Sequence, residues 1–145
     1  MIGQYSPNAR SLQLAGICVV IKCDIDIIDA RQKGRRLAAE IGFSATDQAM
    51  VAATITELGR NIIEYAERGE ILLEVIENRG QRGIAITAGD HGPGIPDIKG
   101  ALQGSYSVTS GLGLGLRGVK GLMDSLDIIS VPGKGTTVTT RKWKP

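Results

Sequence analysis

Residues 47–62 read DQAMVAATITELGRNI, a stretch that combines a helical apolar stripe with two polar side chains on another face. The apolar residues recur at intervals of four, three and four, which is the spacing of one side of an α-helix. Ser44 or Thr46 is the expected N-cap, and we predict that the helix runs to about Arg68 and stops at Gly69. The stripe consists of Val51, Ile55, Leu58 and Ile62.

Shorter apolar segments on both sides of this helix predict a sheet. Two pairs of strands are joined by short turns without an intervening helix, which argues against an all-parallel sheet. The order predicts an α+β fold, a two-layer α/β sandwich in which a mixed, mostly antiparallel sheet carries the helices on one face. The predicted strands are Leu12–Cys23, Ile71–Glu77, Ile84–Ala88, Asp127–Val131 and Thr136–Trp143, and the further helices are Ile27–Ile41, Asp97–Leu102 and Gly115–Ser125.

The composition fits one domain of 145 residues, in which about residues 1–11 form a loose N-terminal segment. A net charge of +2 is too small to favour nucleic acid or an anionic membrane as a partner. No apolar run reaches the ~20 residues that span a bilayer, and the N-terminus has no signal-peptide pattern. Cys18 and Cys23 are interpreted as reduced core or half-buried thiols, so we expect a cytoplasmic protein.

Glu57 and Asn61 are the two polar residues of the long helix that suggest chemistry. They lie within roughly 40° of each other, on a face roughly 110° from the centre of the apolar stripe. A carboxylate beside an amide can act as a base and a Mg²⁺ ligand. The alternative is an ordinary solvated helix face.

A second candidate is the string Asp90–Pro96, which follows a predicted strand directly. Asp90 at the strand end can accept a hydrogen bond from an exocyclic amine. Gly92 and Gly94 allow the backbone to pass close to a flat ring. The alternative is a tight turn stabilised by Asp, Gly and Pro.

A third candidate is the alternation of Gly111, Gly113 and Gly115 before a predicted helix. Exposed backbone N–H groups followed by a helix N-terminus suit a phosphate chain. The spacing matches neither a Walker A loop nor a dinucleotide fingerprint, and the alternative is a flexible linker. The segment Gly133–Thr136 is a good hairpin turn, in which Thr136 matters only if its hydroxyl points toward the same pocket.

These blocks, in this order, resemble the nucleotide-binding motifs of the Bergerat-fold (GHKL) ATPase and kinase superfamily. The chain is most similar to the anti-sigma-factor serine/threonine kinases, and among them to RsbT-type switch kinases of the bacterial stressosome. The resemblance extends from about Val19 to Trp143. It implies ATP and Mg²⁺ as cofactors.

The resemblance also implies a role for each matching residue. Glu57 matches the general base, Asn61 the Mg²⁺ ligand and Asp90 the acceptor for the adenine amine. The remaining matches are Gly92 and Gly94 against the adenine, Gly111, Gly113 and Gly115 against the phosphates, and Thr136 as the hydroxyl that helps to hold the aspartate and the base.

One departure concerns the residues before Gly111, where some related kinases carry an arginine. This chain has Val108–Ser110 there, so either turnover is slow or a cation for the γ-phosphate comes from Arg117, Lys120, Arg60 or the partner.

The resulting hypothesis is a protein serine/threonine kinase that phosphorylates STAS-domain partners and acts as a regulatory switch. Release from these partners would then activate a metal-dependent serine phosphatase. The alternative is a non-catalytic, nucleotide-gated module that sequesters a protein partner such as a sigma factor. A histidine-kinase catalytic domain and a metabolic ATPase fit the sequence less well.

Overall fold

The structure, a computed structural model, describes residues 16–95, 100, 102 and 115–145. Five strands form one sheet, and two long helices separate the first strand from the second. In chain order the elements are β1 (Ile17–Ile21), α1 (Asp24–Ile41), α2 (Ala45–Ala66), β2 (Gly69–Asn78), β3 (Gln81–Asp90), α3 (Gly115–Leu122), β4 (Ser125–Val131) and β5 (Gly135–Trp143).

The strand order is β1-β2-β3-β5-β4, and every pairing between the described strands is antiparallel. One row across the sheet is buried on four strands, where Val19, Ile71, Ala88 and Val138 lie side by side. Successive side chains of a strand point to opposite faces of the sheet, so this buried row belongs to one face. It packs into one core with the apolar residues of the helices, which cover this face. The predicted two-layer α+β sandwich is confirmed, without a parallel pair in the part of the sheet that is described.

The caps of the two long helices follow from short-range contacts. Cys23 is the N-cap of α1, and the Asp26 carboxylate accepts hydrogen bonds from the backbone N–H groups of Lys22 and Cys23, at 2.8 and 3.2 Å. These bonds, chiefly that from Lys22, hold the pKa of Asp26 below its usual value. The helix therefore begins at Asp24, earlier than the predicted Ile27.

The connection between α1 and α2 matches the sequence-based prediction. Gly42 ends α1 in the left-handed conformation, with φ of 102°. Ser44 is the N-cap of α2, and its hydroxyl oxygen accepts a hydrogen bond of 3.1 Å from the N–H of Asp47. Of the two predicted caps, Ser44 is thus the one used.

The apolar stripe of α2 lies in the core, as predicted. Its four residues are between 0 and 2% exposed. Glycines let the two helices approach closely, because a Cβ on Gly59 would lie 2.8 Å from Cγ1 of Ile27, and one on Gly34 would overlap Ile55. This packing fixes the rotation of α2, and with it the direction of its polar residues.

Several predicted boundaries and environments shift. The predicted strand Leu12–Cys23 is found at Ile17–Ile21, and its residues 12–15, like the loose segment 1–11, lie outside the described residues. The predicted helix Asp97–Leu102 also lies mostly outside them. Both cysteines are exposed, which corrects their interpretation as core or half-buried thiols: Cys18 lies on the open face of an edge strand and Cys23 at a helix start.

Candidate functional site

The side chain of Glu57 is buried near the middle of α2 and is only 4% exposed. Its Oε1 accepts a hydrogen bond of 3.0 Å from the backbone N–H of Gly115, the first residue of α3. A helix N-terminus favours negative charge, so this contact stabilises and orients the carboxylate. The alternative of a solvated helix face is therefore wrong for Glu57, because α3 covers it.

Asn61 lies one turn further along α2, and its half-buried side chain lines an open cavity. Its amide oxygen is a suitable ligand for a hard cation such as Mg²⁺. Among the described residues no cluster of three His, Cys, Asp or Glu side chains could hold a metal ion. A metal bound at Asn61 would therefore rely on oxygen atoms from a phosphate-bearing ligand for most of its coordination.

Asp90 ends β3 and forms part of the cavity wall. Its Oδ1 accepts two backbone hydrogen bonds, from Gly92 at 2.8 Å and from Thr136 at 3.2 Å. Neither of these two hydrogen bonds involves Oδ2, the other oxygen of the carboxylate. The carboxylate is thus fixed by one oxygen while the other can accept a hydrogen bond from a ligand amine.

The two glycines after Asp90 have different surroundings. Gly94 lies in the cavity wall with φ of 87°, and a Cβ there would lie 2.9 Å from the carbonyl oxygen of Val131. Gly92 does not line the cavity; a Cβ there would lie 2.6 Å from Cβ of Ala66. Gly94 therefore shapes the cavity directly, whereas Gly92 lets the loop approach the end of α2.

Thr136 lines the cavity, but its hydroxyl does not contact Asp90. The backbone N–H of Thr136 binds Asp90, and its Oγ1 lies 2.9 Å from Oγ of Ser130 on the neighbouring strand. Ser130 was missed by the sequence analysis. The predicted strands end at Val131 and resume at Thr136, which would pair these two residues. The structure instead pairs Val131 with Gly135 and Ser130 with Thr136. With Val131 and Gly135 as the first pair beside the turn, the next pair outward would have identified Ser130 as the neighbour of Thr136.

The cavity that most of these residues line is open to solvent, and the space inside it and its mouth together amounts to about 820 Å³. Its walls are mainly apolar, with a few polar groups that converge from different elements. Asp90 is the single charged side chain among the described residues that line it. The apolar lining is Leu58, Ile62, Tyr65, Ala88, Pro93, Ile95, Leu116 and Val138, and the other lining residues are Asn61, Asp90, Gly94, Gly115 and Thr136.

Tyr65 is a second residue that the sequence analysis missed. It lies one helical turn beyond Asn61, lines the cavity and is 43% exposed. An aromatic ring in this position can stack on a flat ligand ring. Tyr65 lies four residues after Asn61 and three after Ile62. This spacing places it on the same face of the helix and could have identified it from the sequence.

The structure brings together Glu57, Asn61, Asp90, Gly94, Gly115 and Thr136 from four elements and one loop. Gly111, Gly113 and the stretch Val108–Ser110 lie outside the described residues. The proposed cations Arg60, Arg117 and Lys120 are all exposed. None of the described helices is long and apolar enough to cross a membrane.

The chain is similar to a known domain family and to several known proteins. The family model of the histidine kinase-like ATPase domain matches residues 24–142. The serine/threonine-protein kinase RsbT of Bacillus subtilis (strain 168) is 48% identical over 126 residues, which is 87% of this chain and 95% of that kinase.

Two anti-sigma F factors are also similar. That of Caldanaerobacter subterraneus subsp. tengcongensis is 27% identical over 79% of this chain and 82% of its own length. That of Oceanobacillus iheyensis is 31% identical over 63% of this chain and 78% of its own length.

Among solved structures, the RsbU and RsbW domains of Rv1364c from Mycobacterium tuberculosis match with a TM-score of 0.59 at 19% identity. This match covers 90% of the chain and 33% of that larger protein, and because the identity is so low it supports the fold alone. Family membership rests on the domain model and on the RsbT match. The chain therefore belongs to the histidine kinase-like ATPase family, in its branch of serine/threonine-protein kinases and anti-sigma factors.

Proposed function

We propose that this serine/threonine protein kinase transfers the γ-phosphate of ATP to a Ser or Thr hydroxyl of STAS-domain partner proteins, and so acts as a switch in a bacterial stress or sigma-factor pathway. The observation that carries the proposal is the buried Glu57 carboxylate, held by Gly115 beside a cavity that Asn61 and Asp90 line. Nucleotide binding alone would not require a carboxylate in that position. The 48% identity to RsbT over nearly all of that kinase supports the same activity.

The base end of the nucleotide would bind at Asp90. Two backbone N–H groups hold Oδ1, so Oδ2 accepts the hydrogen bond from the exocyclic amine of adenine. The ring would lie between apolar walls, with Tyr65 at the cavity mouth and Val138 on the sheet. Fixed polar groups at the edge of an apolar slot give orientation and specificity.

The phosphates would extend from the cavity toward Asn61 and the N-terminus of α3. Asn61 would hold Mg²⁺, which neutralises charge on the triphosphate when it is bound. The helix begins at Gly115, where backbone N–H groups and the helix dipole favour an anion. Gly111 and Gly113 are proposed to line the same phosphate path, and Arg60, Arg117, Lys120 or a partner residue would supply positive charge.

Glu57 would orient the acceptor hydroxyl and receive its proton during transfer. The backbone N–H of Gly115 keeps the carboxylate in one orientation, so little reorganisation is needed when the substrate arrives. Phosphoryl transfer depends mainly on positioning the reacting groups and on stabilising the charge of the transferred phosphate. The role of this chain would therefore be to hold the nucleotide and the acceptor hydroxyl in place.

The partners and the compartment are part of the proposal. The kinase would phosphorylate STAS-domain substrates, and its release from them would then activate a metal-dependent serine phosphatase. Two exposed thiols without a disulfide suit a reducing cytoplasm, where ATP is also available.

The test is transfer of labelled γ-phosphate to a STAS-domain partner by the parent, Glu57→Gln and Glu64→Gln. Glu64 is exposed on the same helix, so its variant makes the same chemical change away from the cavity. We expect Glu57→Gln to reduce transfer about 10²- to 10⁴-fold, and Glu64→Gln to behave as the parent. Equal transfer by all three proteins would reject the role of Glu57.

The second candidate function is a nucleotide-gated module that sequesters a protein partner without transfer, which the similarity to two anti-sigma F factors favours. In that case ATP would stay intact in the complex with the correct partner. Mass spectrometry of the partner and nucleotide after incubation separates the two functions, because the kinase adds one phosphate and produces ADP.

A further inference from the structure

The loop that follows Asp90 rests on the β4–β5 hairpin through backbone and side-chain contacts. The carbonyl of Pro93 accepts a hydrogen bond of 2.9 Å from the N–H of Gly133. The N–H of Ile95 donates a shorter bond of 2.6 Å to Oγ of Ser130. This loop forms one wall of the nucleotide cavity, so the hairpin determines where that wall stands.

Ser130 is the side chain through which the hairpin reaches the cavity. Its Oγ accepts from Ile95 and lies 2.9 Å from Oγ1 of Thr136 and 3.5 Å from the carbonyl oxygen of Gly135. Thr136 in turn donates its N–H to Asp90. One chain of contacts therefore joins Ile95 to Asp90 through Ser130 and Thr136, although Ser130 itself is not part of the cavity wall.

The hairpin has other contacts that define its own shape. Val131 pairs with Gly135, and the N–H of Lys134 donates a bond of 2.9 Å to the carbonyl of Val131. The turn therefore has contacts of its own that do not use the Ser130 hydroxyl, whereas the N–H of Ile95 has this hydroxyl as its acceptor. A Cβ on Gly94 would lie 3.1 Å from Oγ of Ser130, which shows how closely the loop is seated on this hydroxyl.

We propose that Ser130 is a positioning residue for the base end of the nucleotide site: it holds the loop at residues 91–95 at a fixed distance from Asp90. This inference rests on the proposed function, in that adenine is the group bound there. Ser130 then sets the affinity for the adenosine part of ATP and leaves the transfer step, which takes place at the Glu57 end, unchanged.

The experiment compares Ser130→Ala with Ser125→Ala in the full chain. Ser125 lies on the same strand, is also half-buried and is at the opposite end from the cavity, so it controls for loss of a strand hydroxyl. For each protein, the dissociation constants of adenosine and ATP are measured by NMR or calorimetric titration. kcat and the KM for the partner are measured at saturating ATP.

We expect Ser130→Ala to weaken the binding of adenosine and of ATP by the same factor, about tenfold, because the half-buried N–H of Ile95 loses its acceptor. Its kcat and partner KM should stay within about twofold of the parent, and Ser125→Ala should match the parent throughout. Three results for Ser130→Ala would each overturn the proposal. They are an affinity for ATP that falls more than that for adenosine, a lower kcat at saturating ATP, and an unchanged affinity for adenosine.

A control with Asp90→Asn separates this inference from the proposed function. If the parent and Asp90→Asn bind adenosine equally, adenine does not bind at this end, and the part of the proposed function that places the base at Asp90 is wrong. If Asp90→Asn weakens adenosine binding and Ser130→Ala does not, adenine binds at Asp90 as proposed and only the role of Ser130 is rejected.

Discussion

Oε1 of Glu57 and the backbone nitrogen of Gly115 lie 3.0 Å apart in a buried hydrogen bond that joins residues 58 positions apart in the chain. The bond connects the middle of α2 with the N-terminus of α3, where we propose that the phosphates bind. Movement of α3 would therefore change the direction of the carboxylate. This relationship ties the proposed base to the proposed phosphate site.

The first prediction is that Glu57→Asp lowers kcat by about 10²-fold and leaves the dissociation constant of ATP within about twofold. The shorter side chain keeps its charge but withdraws the carboxylate from Gly115 and from the acceptor hydroxyl. Stopped-time transfer assays at saturating ATP, together with ATP titration, measure the two quantities. Glu64→Asp is the matched control, and a kcat equal to that control would contradict the geometric role.

The second prediction concerns base selectivity at Asp90. In Asp90→Asn the side-chain oxygen has to accept from Gly92 and Thr136, so the amide NH₂ replaces Oδ2 toward the ligand. A donor then faces the amine of adenine, and we expect ATP affinity to fall about 10- to 100-fold. GTP, which carries a carbonyl in the corresponding position, should lose less. Titration with both nucleotides tests this, and an unchanged ATP-to-GTP ratio would argue against base recognition by Asp90.

Features that depend on neighbouring residues could be predicted from the sequence. The N-cap Ser44, the end of α1 at Gly42 and the apolar stripe of α2 follow from local spacing and backbone preference. The strand hairpins and their antiparallel pairing follow from short turns for the same reason.

Features that depend on distant contacts could not be predicted. Helical spacing placed Glu57 away from the core stripe, and its burial results from α3, which comes much later in the chain. Ser130 was missed because a shift of one residue in the turn changes every cross-strand pair. The exposure of Cys18 likewise depends on β1 lying at the sheet edge, which its own sequence does not encode.

The third prediction is that Gly135→Ala destabilises the protein more than Gly133→Ala does. Both glycines have positive φ, 121° and 76°, so an alanine at either position strains the backbone by about 1 kcal/mol or more. The Cβ at position 133 would enter open space, whereas the Cβ at position 135 would overlap the carbonyl oxygen of Asp90. Urea unfolding gives the difference in free energy of unfolding, which we expect to exceed about 1 kcal/mol. Equal losses would show that the Asp90 backbone can move away at little cost and would contradict the prediction.

The fourth prediction concerns Lys142, a lysine that is only 8% exposed. Its Nζ donates a hydrogen bond of 2.8 Å to the carbonyl of Leu122, the last residue of α3, and lies 3.8 Å from Oδ1 of Asp47 in the first turn of α2. A cation at the C-terminus of a helix is favoured by the helix dipole. Lys142 therefore fixes the end of α3 opposite to Gly115.

Lys142→Met keeps most of the side-chain volume but leaves the Leu122 carbonyl without its donor, so we expect a loss of about 1–3 kcal/mol in the free energy of unfolding. Replacing both partners of a buried ion pair by apolar residues can leave stability unchanged. Here Asp47 and the Leu122 carbonyl remain without the lysine, so we expect a net loss of stability. Because α3 also holds Glu57 through Gly115, kcat should fall more than ATP affinity does. Lys134→Met, at an exposed turn, is the control and should change stability by less than about 0.5 kcal/mol. If Lys142→Met loses stability but keeps the parental kcat, the position of Gly115 does not depend on the far end of the helix, and the coupling along α3 is refuted.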